Sequence, residues 1–201
     1  MRKILMTELL KNCLLKIQQV DMLKYLFDHT RDHYCGYPLA PIELIEYGDF
    51  QCEHCAAVYP EIKMLQEKMG NQLKFVFRHY PLSAIHPIAF DAAVSTEAAS
   101  LQEKFWYMHD IIFENQKYLT RSSLSNFAEQ IGLDVALFEV SRSQKKLVQK
   151  VINDVESGVK SGVNGTPTFF VNRHRYNGFD DLESLYKTCK YLLTFKGMAT
   201  E

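Results

Sequence analysis

The sequence predicts an α/β protein, a compact sheet with a helical cap, on three observations. A β-leaning segment, a helix and a second β-rich segment follow one another between Ile42 and Tyr80. From Ser83 to Gly162 the apolar residues fall at helical spacing throughout. Strand-like sequence then returns at Gly165 and leads into a final helix. The order β-α-β, helices, β-β-α segregates one sheet from one helical layer.

The elements follow in order. Residues 7–29 are expected to form a helix, with Leu10, Leu14, Ile17, Leu23 and Leu26 on an apolar face and Lys11, Lys16, Gln18 and Lys24 largely opposite. Such a stripe packs on the parent domain or, in the sharper alternative, makes a homodimer contact. Gly36, Pro38 and Pro41 mark residues 32–41 as a loop, which carries Cys35. Residues 42–48 form the first central strand. Residues 53–70 form a helix in which Val58, Ile62, Leu65 and Met69 recur at helical spacing and Pro60 is expected to introduce a kink or to mark a reorganisation after the first turns. Residues 73–80 (LKFVFRHY) alternate and form the second strand, closed by Pro81. Helices are expected over 88–101, 105–116, 122–131, 134–142 and 144–157. A strand over 165–172 turns tightly near Asn172 to His174 into a partner strand at 175–178. Residues 181–193 make the last helix, with Leu182, Leu185, Tyr186 and Cys189 on one face. The domain division is then an N-terminal helical extension (1–31), a sheet domain (32–82 and 163–195) and an inserted helical subdomain (83–162).

Composition narrows the function. A chain of 201 residues suits one domain with an elaboration. A net charge of −1 argues against a nucleic-acid or anionic-membrane footprint, since both need a basic excess. No stretch approaches eighteen apolar residues, so no membrane span is expected. Met1-Arg2-Lys3 is basic, but Glu8, Lys11, Asn12 and Lys16 interrupt any apolar run behind it. The expected compartment is the cytoplasm, or the periplasm or another extracytoplasmic space if a leader has been removed. Five cysteines, an odd number, also suit a reducing compartment. Cys13, Cys35 and Cys189 are taken as structural or incidental thiols.

The chemistry concentrates where the first strand hands over to the helix, at Cys52-Glu53-His54-Cys55. A helix start presents unpaired N–H groups and the positive end of the macrodipole, and both favour a thiolate at Cys52. Cys55, one turn further in, sits on the same side and within bridging reach. A protonated His54 supports the thiolate and Glu53 opposes it. The plainer readings of the pair are half of a zinc site or two packing thiols. Zinc needs about four ligands, no second CxxC follows, and His29 and His33 precede the domain, so no metal is expected. Arg78 and His79 close the second strand and either face the active centre or form a surface ion pair. Phe105, Trp106 and His109 have the spacing of packing residues, and His86 that of a turn. Pro167 cannot donate to a sheet ladder; if its bond to Thr166 is cis, the Thr166 backbone turns toward an extended substrate.

Taken together, EYGDFQCEHC, FVFRHYPL, His86-Pro87, Phe105-Trp106 with His109-Asp110, and GVNGTPTFFVN resemble the DsbA-like thiol–disulfide oxidoreductases of the thioredoxin superfamily. The resemblance runs in order over residues 32–193. It implies a thioredoxin fold with a helical insertion after the second strand. It also implies Cys52 as nucleophile, Cys55 as the buried resolving thiol, Pro167 as a cis-proline facing them, and Glu46 as a buried acid assisting the inner cysteine. Glu53 stands where the family's strongest oxidants carry proline. The implied activity is disulfide exchange with protein or peptide substrates, without metal or organic cofactor, with a redox partner for regeneration. Alternatives are a glutathione-dependent transferase or isomerase of the same fold, against which the retained Cys55 argues, and a redox-sensing or chaperone-like binding module.

Overall fold

A computed structural model of the chain describes residues 17–177 and 181–198. Six strands form one sheet: β1 (Ile17–Met22), β2 (His33–Gly36), β3 (Ile42–Gly48), β4 (Leu73–His79), β5 (Thr168–Val171) and β6 (His174–Tyr176). Their spatial order is β1-β6-β5-β3-β4-β2. The helices are α1 (Glu53–Met69), α2 (Ala89–Ser100), α3 (Phe105–Glu114), α4 (Arg121–Gln130), α5 (Val135–Arg142), α6 (Lys145–Lys160) and α7 (Leu182–Met198), with 3-10 turns at Gly70–Gln72 and Gln116–Tyr118. None of the described helices is long and apolar enough to cross a membrane.

The chain divides into two compact units. One contains the described residues up to Glu46, Glu61–Phe77 and those from Thr168 onward; the other contains Tyr47–Pro60 and Arg78–Pro167. In the first, the sheet centre is apolar because β4 and β5 are buried at every position and β3 at all but Glu43. Near-continuous apolar runs of this kind are what strands covered on both faces require. Asn172 and Arg173 both take positive φ, 45° and 78°, giving the twist a two-residue hairpin turn needs between β5 and β6. Asn172 then clips that hairpin to β3. Its N–H donates to Glu43 O and its side-chain oxygen accepts from Glu43 N, each over 2.8 Å.

The second unit holds α2 to α6. Alanines at 92, 93, 98 and 99 are all buried, so α2 lies close to its neighbours. Thr120 caps α4 in a reciprocal box with Ser123, and Asp134 caps α5 through Leu137 N–H at 2.9 Å. The cap thus lies two residues before the start expected for this helix.

Two expectations need correction. Residues 17–22 form β1, not the second half of a helix over 7–29; residues before 17 lie outside those described. β1 pairs antiparallel with β6, and that edge pairing overrides a helical spacing pattern which local sequence alone supports. The apolar stripe proposed for a homodimer contact is therefore not a helical face from Ile17 onward, and Leu23 is buried. The loop over 32–41 contains β2, which pairs antiparallel with β4 from His33↔Phe77 to Gly36↔Lys74. Gly36 ends β2 at φ +91°, where a Cβ would stand 2.3 Å from Leu73 O, so the residue that reads as a loop marker is a close-approach glycine. Pro60 lies inside α1, whose assignment runs from Glu53 to Met69.

Candidate active site

The loop between β3 and α1 sets the site, and all of it belongs to the second unit. Cys52 N donates to Asp49 O over 3.1 Å, and Cys52 O accepts from Ala56 N over 3.1 Å. Cys52 is therefore the cap residue of α1, one position before its first turn. At that position a side-chain acceptor meets the orphan N–H groups of the following residues. Cys52 and Cys55 are both in the thiol form, 5% and 0% exposed.

The Cys52 thiol donates to the backbone carbonyl of Thr166 over 3.3 Å. Its pKa falls from 9.0 to about 5. The largest cause is a hydrogen bond from the Cys55 thiol, which burial of Cys52 opposes. The Thr166 side chain and the N–H groups of Cys55 and His54 add further lowering. In the thiol state the buried Thr166 hydroxyl has no hydrogen-bond partner, and the Thr166 carbonyl takes the S–H. Loss of the thiol proton removes that donor and leaves a sulfur anion that the hydroxyl can serve. The Thr166–Pro167 peptide bond is cis.

Side chains distant in sequence hold the loop. Asp49, fully buried, accepts from Gln51 N at 2.7 Å, from Leu82 N at 2.8 Å and lies 2.7 Å from His86 Nδ1. Gln51 accepts from Ile88 N. Gln116 Nε2 donates to Phe50 O at 2.9 Å and Cys52 O at 3.0 Å.

The thioredoxin family model matches residues 28–190. The chain belongs to the thioredoxin family. It is 40% identical over 162 residues to a protein named Na(+)/H(+) antiporter NhaA 1 from Mycolicibacterium gilvum, and 38% identical over 158 residues to another of that name from Salinispora arenicola. The matches take in 80% and 79% of this chain but 26% and 24% of those proteins, so the chain spans about a quarter of their length. Among solved structures, the fold is similar to alpha-DsbA1 from Wolbachia pipientis, at TM-score 0.74 and 24% identity, covering 88% of this chain and 98% of that one. It is also similar to BdbD from Bacillus subtilis, at TM-score 0.73 and 21% identity, covering 87% and 99%.

The other residues singled out in this thioredoxin-family chain fall as follows. Glu53 and His54 are exposed in the first turn of α1, and His54 acts on Cys52 through its backbone N–H. Glu46 is buried on β3 and belongs to the first unit. Arg78 and His79 form no surface ion pair, because both are buried. Arg78 donates to Tyr47 OH at 2.9 Å, and that hydroxyl lies 2.8 Å from Ser157 Oγ. His79 N donates to Asp154 over 3.1 Å, and its ring lies 3.0 Å from Glu97. Lys150 bridges the two carboxylates at 2.6 Å and 3.6 Å. The spacing argument could not find this network, since its partners come from α2 and α6, well along the chain.

Phe105, Trp106 and His109 stack within an aromatic cluster that includes Phe50, Tyr59 and Phe113, with ring centroids 4.9 Å apart for Phe50–Phe113 and 5.1 Å for Trp106–His109. Cys35 sits on β2 and accepts from Gln66 Nε2, Cys189 is buried on α7, and Cys13 lies outside the described residues. Among the described residues, no group of three or more His, Cys, Asp or Glu is placed to hold a metal ion. Asp49, Gln51 and Gln116 escaped the sequence reading: most of their partners are backbone groups, several of them far along the chain, which leave no spacing signal.

Proposed function

We propose that the chain exchanges thiols and disulfides with protein or peptide substrates, with Cys52 as nucleophile and Cys55 as resolving thiol. One observation carries this reading: a thiol at the cap of a helix, its pKa brought to about 5, that accepts a hydrogen bond from a second, fully buried thiol. In the reducing direction the Cys52 thiolate attacks a substrate disulfide, one substrate sulfur leaves as thiolate, and a mixed disulfide forms. Cys55, giving up its proton, attacks the Cys52 sulfur, expels the second substrate thiolate and leaves a Cys52–Cys55 disulfide. The oxidising direction is the reverse sequence. A thiolate so favoured stabilises the dithiol form, which supports net oxidation of substrate thiols and regeneration by an oxidising partner. Thr166 and Pro167 border Cys52 as the place where an extended substrate backbone lies.

The odd number of cysteines is the support for a cytoplasmic setting. Oxidative refolding of a reduced, denatured substrate tests the function. Turnover by the native protein, lost in Cys52→Ser, is expected; equal rates for both sink the proposal. A second reading, a redox-responsive module of a larger assembly, draws on the relatives named antiporters, of whose length the chain spans a quarter. It predicts partner binding that differs between dithiol and disulfide forms in the absence of turnover.

A further inference from the structure

We propose that Gln116 is a positioning residue for Cys52, holding the start of α1 in the conformation that keeps the sulfur beside its donors. The inference rests on the reading of Cys52 as the nucleophile and adds a residue through which the helical segment controls it.

Phe50 O and Cys52 O belong to residues two apart on the same short loop, and both point at one side-chain nitrogen. Both are acceptors only, so the group between them must supply two hydrogens. A primary amide does this and a carboxylate cannot. That requirement fixes the orientation of the Gln116 side chain, with Nε2 toward the loop. Gln116 lies 66 and 64 residues from its partners, in the 3-10 turn Gln116–Tyr118 after α3. The turn is itself anchored. Asn115 donates from both its N–H and its side chain to Ile111 O, and Leu119 beyond it is buried.

Two effects on the sulfur follow. The Cys52 carbonyl oxygen carries partial negative charge on the same residue as the thiolate, and an amide hydrogen of Gln116 offsets part of it. The amide also fixes the carbonyl of the cap residue, and with it the backbone that aims the Cys52 side chain at the N–H groups of His54 and Cys55. Without the clamp Cys52 O keeps only its helical bond from Ala56 N, and the loop loses one of the restraints that aim its sulfur. Asp49 steadies the same loop from the other side, but its three partners also tie down Leu82 and His86. Gln116 is the cleaner probe because both of its bonds go to the loop itself.

The test is the pH dependence of Cys52 alkylation by iodoacetamide in the intact protein, comparing wild type, Gln116→Met and Gln116→Lys. Gln116→Met keeps the side-chain length without donors. Its alkylation midpoint is expected to rise by about one pH unit, which lowers the rate at pH 5 about fivefold. Gln116→Lys restores donors to both carbonyls and is expected to keep the midpoint at or below the wild-type value. A Gln116→Met midpoint unchanged within error overturns the proposal, as does a Gln116→Lys midpoint that rises with it. Circular dichroism and a cooperative melt establish folding. If Gln116→Met does not fold, Gln116→Ala carries the same comparison with the same expected direction. Alkylation needs no substrate turnover, so the outcomes separate: a wild-type protein with an acidic Cys52 but no exchange activity defeats the proposed function and leaves Gln116 testable.

Discussion

The Cys52 thiol and the Thr166 carbonyl, 114 residues apart in sequence, meet in a 3.3 Å hydrogen bond. It brings the cap of α1 against the residue that precedes Pro167, so the sulfur is enclosed by backbone on one side and by Cys55 on the other. A thiol this buried would ordinarily be a weak acid. Here the donors around it outweigh the burial, and the net shift is downward.

That balance predicts unequal reactivity of the two cysteines. Cys52 should alkylate with a midpoint near pH 5, whereas Cys55, fully buried, should react far more slowly at every pH. Mass spectrometry of iodoacetamide-labelled peptides, quenched over a pH series, measures both. A Cys52 midpoint near that of an ordinary thiol, or equal rates for the pair, would show that the donors do not act as described.

The same shift makes the dithiol protein's stability depend on pH, and its sign is fixed. A group whose folded pKa lies below its unfolded value stabilises the fold fully above the unfolded pKa and loses that contribution as pH falls through the folded one. For Cys52 the window runs from about 9 down to about 5. The thiolate then contributes about 3 kcal/mol at pH 7 and little at pH 5. Urea unfolding of reduced wild type against Cys52→Ser should show their difference shrinking by about 2 kcal/mol from pH 7 to pH 5. A difference that grows toward acid would contradict the assignment.

How much of this could be read before folding varies by element. β3, α1 and β4 were plain, because apolar runs and a 3.6-residue spacing give each its own periodicity. So was the Asn172–Arg173 turn. β1 and β2 were hidden for opposite reasons. Residues 17–22 continue a spacing that suits a helix, and only pairing with β6 makes them a strand. Gly36 and Pro38 signal a loop, and only the close approach of Leu73 O shows why a glycine belongs in β2. At the site, Cys52 and Cys55 announced themselves by spacing. His54 was weighed for its ring although its backbone N–H is the group that acts. Gln116 and Asp49 gave no signal, since the backbone carbonyls that Gln116 holds and the backbone N–H groups that Asp49 holds come together only in the folded chain.

The thiolate also bears on redox poise. A thiol of pKa about 7, as in thioredoxin itself, stabilises the reduced state at pH 7 by about 0.4 kcal/mol, against about 3 kcal/mol for one of pKa about 5. Other things equal, the Cys52–Cys55 couple should lie about 50 mV above thioredoxin's potential of about −270 mV. Equilibration with glutathione buffers, followed by trapping and mass analysis, gives the value. A potential at or below that of thioredoxin would reverse the proposed direction of electron flow.

Lys150 offers a test of the buried charge network. Its ammonium bridges Asp154 and Glu97, whose side chains are almost wholly enclosed and which also hold His79. Lys150→Met keeps the volume but removes the cation that joins the two carboxylates. Breaking one partner of a buried ion pair costs about 3 to 5 kcal/mol, and the partial exposure of Lys150 places this case at the lower end, about 3 kcal/mol. Denaturant titration of the disulfide form isolates this loss from the chemistry of Cys52, and a change under 1 kcal/mol would mean that water compensates the two acids.

Gly158 sets two principles against each other. In the interior of α6, alanine should be favoured over glycine by about 1 kcal/mol. The Cβ it adds, however, would stand 2.8 and 2.9 Å from the Tyr80 ring and 3.1 Å from the Tyr47 ring. Neither ring can retreat freely. Tyr80 OH donates to Val163 O at 2.8 Å, and Tyr47 OH is held between Arg78 and Ser157. Overpacking against fixed groups costs about 1 to 3 kcal/mol, and in a helix this tightly apposed it should exceed the propensity gain. Gly158→Ala is therefore expected to lower the unfolding midpoint in urea, with an unchanged slope. A stabilised variant would mean that the two tyrosines have room to move and that the packing between α6 and these rings is looser than the distances imply.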